Sequence, residues 1–281
     1  MPSTTVQFDA ILFDMDGTLI DSTAGVEGAW GLFAEKYPGL DIPNILSSAH
    51  GVRTVESLRK HCGIEDPDEL EVIFSVYLTN SGKPDTPHKA EAQRFEEAIV
   101  TRSHENGKTG LKLLPGVREI IDEVWMRKRG LFLHFCIFFL LTAAFFLCIK
   151  LAPGAKFPKQ CWTICTSATR AYASQALPSV GINIPDGIVY AEDVEKGKPQ
   201  PDPYLLGAKR CGFDPKHCLV VEDAPAGVCS GLAAGCKTLA LVTSHSREQM
   251  VAVNPDFLVD NLASVTMKRI DNGVLVTITT P

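Results

Sequence analysis

Phe8-Asp9-Ala10-Ile11-Leu12-Phe13-Asp14-Met15-Asp16-Gly17-Thr18 is the stretch that decides the fold. The apolar run Ala10 to Phe13, flanked by Phe8, reads as a buried strand over residues 6–14 that ends in two carboxylates. Open α/β sheets bind their ligands at the carboxyl ends of their strands. Asp14 and Asp16 lie two positions apart, so an extended backbone points both side chains the same way. Two acids held together repel unless a cation or a shared proton intervenes. The pattern therefore asks for a metal, Mg²⁺ first, and offers one acid as nucleophile and the other as proton donor.

Downstream of this strand the character changes twice. From Asp21 to about Leu111 helical spacing dominates, as in Val26, Trp30, Phe33 and Ala34, and prolines at 38, 43, 67, 84 and 87 punctuate it. This stretch reads as a helical insert, a cap over residues 21–111. The core resumes with a helix opened by Leu114-Pro115-Gly116-Val117, with Val117, Ile120, Ile121 and Val124 on one face. Strands expected at 162–165, 218–221, 238–242 and 256–259 then alternate with helices at 170–177 and 226–234. That alternation predicts an α/β fold, a doubly wound parallel sheet, built from residues 1–20 and 112–281.

Bulk properties exclude several classes. Against 33 acidic residues the chain has 27 lysines and arginines and no long basic run, so nucleic acid is not an expected partner. Nine cysteines are scattered without zinc spacing and read as reduced thiols in a cytoplasmic protein. No basic region followed by an apolar run opens the chain, so no signal peptide is expected. Trp30 and Phe33 are expected to fill the core of the cap rather than to face a substrate.

Three further polar groups fall where that sheet would end. Thr166-Ser167 follows the strand at 162–165. Lys198 sits in Gly197-Lys198-Pro199-Gln200-Pro201-Asp202-Pro203, too rich in proline to be regular. Glu222-Asp223 ends Leu219-Val220-Val221. A hydroxyl, a lysine and an acid pair at one sheet edge make a place for a phosphate beside a metal: hydroxyls hold its oxygens, an ammonium offsets its charge and that of a carboxylate nucleophile, and acids hold Mg²⁺. Each group also has a plain structural reading. Asp-Gly is a common turn pair, Thr166 and Ser167 suit a helix cap, a lone lysine is usually solvated, and Glu222-Asp223 suits a helix start.

In order and context, Asp14-Met15-Asp16-Gly17-Thr18-Leu19, Thr166-Ser167, Gly197-Lys198-Pro199 and Val221-Glu222-Asp223-Ala224-Pro225-Ala226-Gly227 resemble the motifs of the haloacid dehalogenase-like phosphatases. Within that superfamily the chain is similar to the fungal glycerol-phosphate and 2-deoxyglucose-6-phosphate phosphatases. The resemblance implies that Asp14 attacks phosphorus to form an aspartyl-phosphate, and that Asp16 protonates the leaving alcohol and then deprotonates water. It implies that Asp14, the main-chain carbonyl of Asp16, Asp223 and Glu222, directly or through water, hold Mg²⁺, while Thr166, Ser167 and Lys198 bind phosphate. The substrate expected is a small phosphorylated polyol or sugar: glycerol phosphate first, 2-deoxyglucose 6-phosphate second. A β-type sugar phosphomutase is the alternative on the same core. In the cap, Ser48-Ala49-His50-Gly51-Val52-Arg53 resembles the loop that faces the active site, making Arg53 and His50 candidate substrate contacts against readings as surface and structural residues. Asp193 is expected to order the Lys198 loop.

One segment stands apart. Residues 131–149, Leu-Phe-Leu-His-Phe-Cys-Ile-Phe-Phe-Leu-Leu-Thr-Ala-Ala-Phe-Phe-Leu-Cys-Ile, carry no formal charge and follow Arg127-Lys128-Arg129. Length and flanks fit a membrane helix. A single crossing would put Asp14 and Asp16 on one side and Thr166, Lys198 and Asp223 on the other, so a transmembrane pass and an assembled site exclude each other. Connections in such folds are short, and the resembling chains have only a turn here. Residues 126–152 therefore read as a translated intron or gene-model error, with a membrane-surface insertion and a buried extra helix as the other readings. A genuine insertion makes the membrane a partner, or leaves an inactive or membrane-associated product.

Overall fold

The computed structural model describes residues 2–46, 51–65, 91–103, 110–125 and 160–279. His50 and the whole of 126–152 lie outside the described residues, and so do the expectations attached to them.

The strand expected at 6–14 is two strands. β1 (Ser3–Phe8) and β2 (Ala10–Phe13) are separated by Asp9, whose N–H donates to the His217 carbonyl at 2.8 Å. The break exists because the two strands serve different sheets. β1 pairs antiparallel with β10 (Gly273–Thr279), which pairs antiparallel with β9 (Val265–Ile270). β2 belongs to a parallel sheet ordered β5 (Trp162–Ile164), β2, β6 (Cys218–Glu222), β7 (Lys237–Leu241), β8 (Phe257–Val259). The reading that ended the strands at Val259 missed the β9–β10 hairpin.

The parallel sheet is buried on both faces, as its near-continuous apolar strands require. Ala10 and Leu12 pack into a cluster with Tyr204, Ala208 and Val220, while Ile11 and Phe13 join the larger cluster that holds Trp162, Val221 and Leu239. Phe13 meets Trp162 edge-on at 6.1 Å between ring centroids. Around the sheet lie α5 (Val117–Trp125), α6 (Arg170–Ser179), α7 (Asp202–Cys211), α8 (Pro225–Ala233) and α9 (Arg247–Ala252). The stripe Val117, Ile120, Ile121 and Val124 is buried as its spacing predicts.

Between β3 (Ile20–Asp21) and β4 (Lys112–Leu113), which pair antiparallel, the described chain is helical: α1 (Thr23–Lys36), α2 (Ile42–Leu46), α3 (Thr54–Cys62) and α4 (Glu91–Arg102). Phe95 joins α4 to α1, edge-on to Trp30 at 4.7 Å and to Phe33 at 5.2 Å. Both residues are core, as expected. Among the described residues no helix is long and apolar enough to cross a membrane.

The sheet order fixes where chemistry sits. From β2 the chain first goes to one side, for β5, and then returns to the other, for β6. β2 is thus the switch point, and the crevice at its carboxyl end is the ligand site of such sheets. Asp14 follows β2, Thr166 follows β5, and Glu222-Asp223 ends β6.

Candidate active site

Asp14, Lys198, Glu222 and Asp223 form one buried charged cluster at that crevice. The Lys198 ammonium donates to Asp14 Oδ1 at 2.5 Å and to Glu222 Oε1 at 2.7 Å, with the Tyr204 ring 5.1 Å away. Its side chain has no exposed surface. Burial by itself would lower the ammonium's pKa, but the two carboxylates outweigh it and hold the pKa above its ordinary value. Burial raises Asp14 well above the carboxylate range; Lys198 opposes this, and Glu222 and Asp223 add to it. Asp223 is pushed up to about 7, first by burial and then by Glu222.

Glu222 has its acceptors filled. Oε1 receives Lys198 and the Tyr204 hydroxyl at 2.8 Å; Oε2 receives the N–H groups of Asp223 at 3.0 Å and Ala224 at 3.1 Å. A carboxylate offers about four such positions. Gly227 opens room for it, since a Cβ there would lie 1.7 Å from Glu222 Oε1. Asp223 differs: Oδ1 accepts from Thr18 at 2.8 Å, whereas Oδ2 is buried with no hydrogen-bond partner among the described residues. Asp14, Glu222 and Asp223 each bring an oxygen within 4.8 Å of the others. Hard oxygens beside an orphaned carboxylate oxygen fit Mg²⁺. Gly17, with φ +83°, keeps the place open, for a Cβ would stand 2.1 Å from Asp223 Oδ2.

Asp16 lies on the cap side of the cluster. Its Oδ1 accepts from the Tyr172 hydroxyl at 2.8 Å, and burial raises its pKa against that hydrogen bond. Thr166 is buried, and its Oγ1 accepts from Ala168 N–H at 3.0 Å. Capping of α6 falls to Thr169, which accepts from Tyr172 N–H, so neither Thr166 nor Ser167 is the helix cap. Ser167 Oγ donates to the Gly51 carbonyl at 2.9 Å, joining sheet edge to cap loop.

A cavity of about 90 Å³ opens from Asp14, Asp16, Thr166 and Ser167 toward Trp30 and Phe95. Arg53 does not line it. Its guanidinium donates to the main-chain carbonyls of Val194 at 2.7 Å and Glu195 at 3.2 Å, bracing the loop that carries Lys198. Asp193 anchors the same region, accepting from Arg170 and Arg210 at 2.8 Å each and from Tyr190 N–H.

Residues that the sequence reading left unassigned also line or support the site. Thr18 belongs to the opening motif itself, and Tyr204 follows the proline-rich loop directly. Tyr172, 156 positions from Asp16, carries no local signal. Glu96 interrupts the apolar stripe Ala92, Phe95 and Ile99 of α4, and a carboxylate on a buried stripe is a signal in itself.

The chain is a phosphoric monoester hydrolase, a chemistry that the switch-point crevice and its buried ammonium among carboxylates can serve. A model of the haloacid dehalogenase-like hydrolases matches residues 8–235, and the chain belongs to that family. It is 32% identical over 262 residues to hexitol phosphatase A of Escherichia coli (strain K12), covering 93% of this chain and 95% of that one. Glycerol-1-phosphate phosphohydrolase 2 of Saccharomyces cerevisiae (strain ATCC 204508 / S288c) is 27% identical over 268 residues, covering 93% and 85%. Among solved structures, a HAD hydrolase, family IA, variant 3, from Entamoeba histolytica HM-1:IMSS has a TM-score of 0.60 at 20% identity, covering 92% of this chain and 95% of that one.

Proposed function

We propose that the chain hydrolyses the phosphate monoester of a small polyol or sugar, with Asp14 as nucleophile and Asp16 as acid and base. The observation that carries this reading is the Lys198 ammonium, buried against Asp14 and Glu222 beside the orphaned Asp223 oxygen. Asp14 attacks phosphorus and the ester oxygen leaves, so the phosphoryl group passes to the carboxylate. Asp16, held by Tyr172, gives its proton to that oxygen and then takes one from the water that cleaves the acyl-phosphate. Lys198 offsets the negative charge of nucleophile and phosphate, and Thr166 with the Ser167 main chain receives the phosphate oxygens. Asp14, the Asp16 carbonyl and Asp223 would hold Mg²⁺, with Glu222 behind them aligning Lys198. When bound, the ion supplies further charge neutralisation at the phosphate.

Glycerol phosphate is our first choice of substrate, followed by 2-deoxyglucose 6-phosphate. The relatives that act on hexitol and glycerol phosphates support this class and extend it to hexitol phosphates. We assign residues 21–111 as the cap over the site, and residues 126–152 as a segment absent from the working enzyme. Among the described cysteines none is disulfide-bonded, which supports a cytoplasmic location.

The test is phosphate release with Mg²⁺ from glycerol 3-phosphate, a hexitol 6-phosphate and 2-deoxyglucose 6-phosphate, by the full chain and by one lacking 126–152, with Asp14→Asn as control. Release that Asp14→Asn abolishes supports the reading. A folded shortened chain that releases none from any of the three would sink it. Messages that all keep codons 126–152 in frame would sink the assignment of that segment.

A further inference from the structure

Glu96 has no part in the mechanism above, yet it is 3% exposed and lines the cavity opposite the catalytic carboxylates. Its position is costly. A carboxylate on the apolar stripe of α4 loses its water, and among the described residues no cation pairs with it. Its donors all come from other elements. Oε1 accepts from Thr54 Oγ1 at 2.9 Å and from Thr169 N–H at 3.2 Å, and Oε2 accepts from the Thr169 hydroxyl. Three donors on four acceptor positions leave one position on Oε2 unused.

The walls around Glu96 describe what would use it. Trp30, Phe95 and Ile99 give the cavity an apolar side suited to a carbon chain; Thr54 and Ser57 add hydroxyls. None of the described residues lining the cavity is a lysine, arginine or histidine. At pH 8, above the value of about 7 to which burial raises it, Glu96 is an anion whose spare acceptor attracts a hydroxyl hydrogen and whose charge repels a second negative one. We propose that Glu96 is the specificity-determining residue of this site, accepting a hydroxyl of the substrate's alcohol and excluding phosphate esters whose organic part is anionic. The substrate class is thereby a neutral, hydroxylated alcohol, an assignment that rests on the phosphatase reading of the same site.

The test uses the full chain at pH 8, where Glu96 is ionised, with three esters of equal carbon number: glycerol 3-phosphate, propyl phosphate, which lacks hydroxyls, and 3-phosphoglycerate, which carries a carboxylate. The wild type is expected to favour glycerol 3-phosphate in kcat/KM over each of the others by about tenfold or more, since a site built to bond a hydroxyl rejects the analogue without it. In Glu96→Gln the discrimination against 3-phosphoglycerate falls by about tenfold, and in Glu96→Ala the preference over propyl phosphate collapses as well. A residue that only braces the cap lowers all three esters by one common factor; unchanged ratios therefore overturn the proposal. If neither variant folds, the wild type alone decides, because a preference below about threefold is inconsistent with a built acceptor. Phosphate release that survives Asp14→Asn removes the phosphatase reading and this inference with it, whereas lost ratios with Asp14 still essential remove the inference alone.

Discussion

Replacing Lys198 with methionine removes the one cation that touches Asp14 and Glu222 among the described residues, at nearly constant volume. Contacts of 2.5 and 2.7 Å are each worth roughly 6 kcal/mol at an effective dielectric of 20, and the dehydration cost of the ammonium offsets several of these. The net loss expected for a buried charge left uncompensated is about 3–5 kcal/mol. It must also depend on pH. Asp14 and Asp223 already sit above the ordinary carboxylate range, and without Lys198 they rise further. A carboxyl whose folded pKa lies above its unfolded value keeps its proton longer in the folded state, so stability falls as pH rises through that interval. The deficit of Lys198→Met against wild type should therefore be small at pH 5 and reach its full size by pH 8. Urea unfolding of both proteins at pH 5, 6.5 and 8 in metal-free buffer measures it. A deficit below about 1 kcal/mol at pH 8, where breaking a buried pair should cost several times that, would refute the reasoning, as would one of equal size at all three pH values.

Asp14→Asn should lower phosphate release by at least about 10³-fold, as loss of a covalent nucleophile does, while raising the melting temperature at pH 8 because one buried acid is gone. Gly17→Ala places a methyl where 2.1 Å separates it from Asp223 Oδ2, and Mg²⁺ affinity by calorimetric titration should fall about tenfold or more, the size seen when support of a metal ligand is disturbed. Burial raises Glu96 from 4.5 to about 7, so wild-type stability should lose roughly 3 kcal/mol from this group as pH rises from 4.5 to 7. Denaturant unfolding of Glu96→Gln should show a correspondingly flatter profile; parallel profiles would mean that the carboxyl is not held neutral in the folded chain.

What could be read from the chain was what repeats a simple rule. Asp14, Thr166 and Asp223 each follow an apolar run, and a parallel sheet brings such ends together whatever their separation in sequence; Lys198 is legible instead from its setting between Gly197 and Pro199 in a proline-rich loop. The break at Asp9 was not legible, because apolar residues on both sides of it give one continuous pattern although they enter two sheets. The β9–β10 hairpin carried its own signal, Asn272-Gly273 between alternating Val265 and Met267 and Val274, Val276 and Ile278, which is strong turn chemistry. Tyr172 was out of reach because its bond to Asp16 is set by how α6 packs, not by any local pattern. From its loop Arg53 is equally a candidate substrate contact and a surface arginine; its side chain reaches the carbonyls behind Lys198, a direction that spacing alone does not encode.

The position of β2 has a consequence for how the enzyme is made. The strand that presents Asp14 is flanked by β5 and β6, at residues 162–164 and 218–222, so it leaves the ribosome long before either neighbour exists. Pairings of such sequence separation form late and slowly. No amino-terminal fragment ending before Asp223 can hold the nucleophile, the ammonium and the third carboxylate together. During synthesis the site is therefore completed only once the segment that carries Glu222 and Asp223 has emerged beside β2.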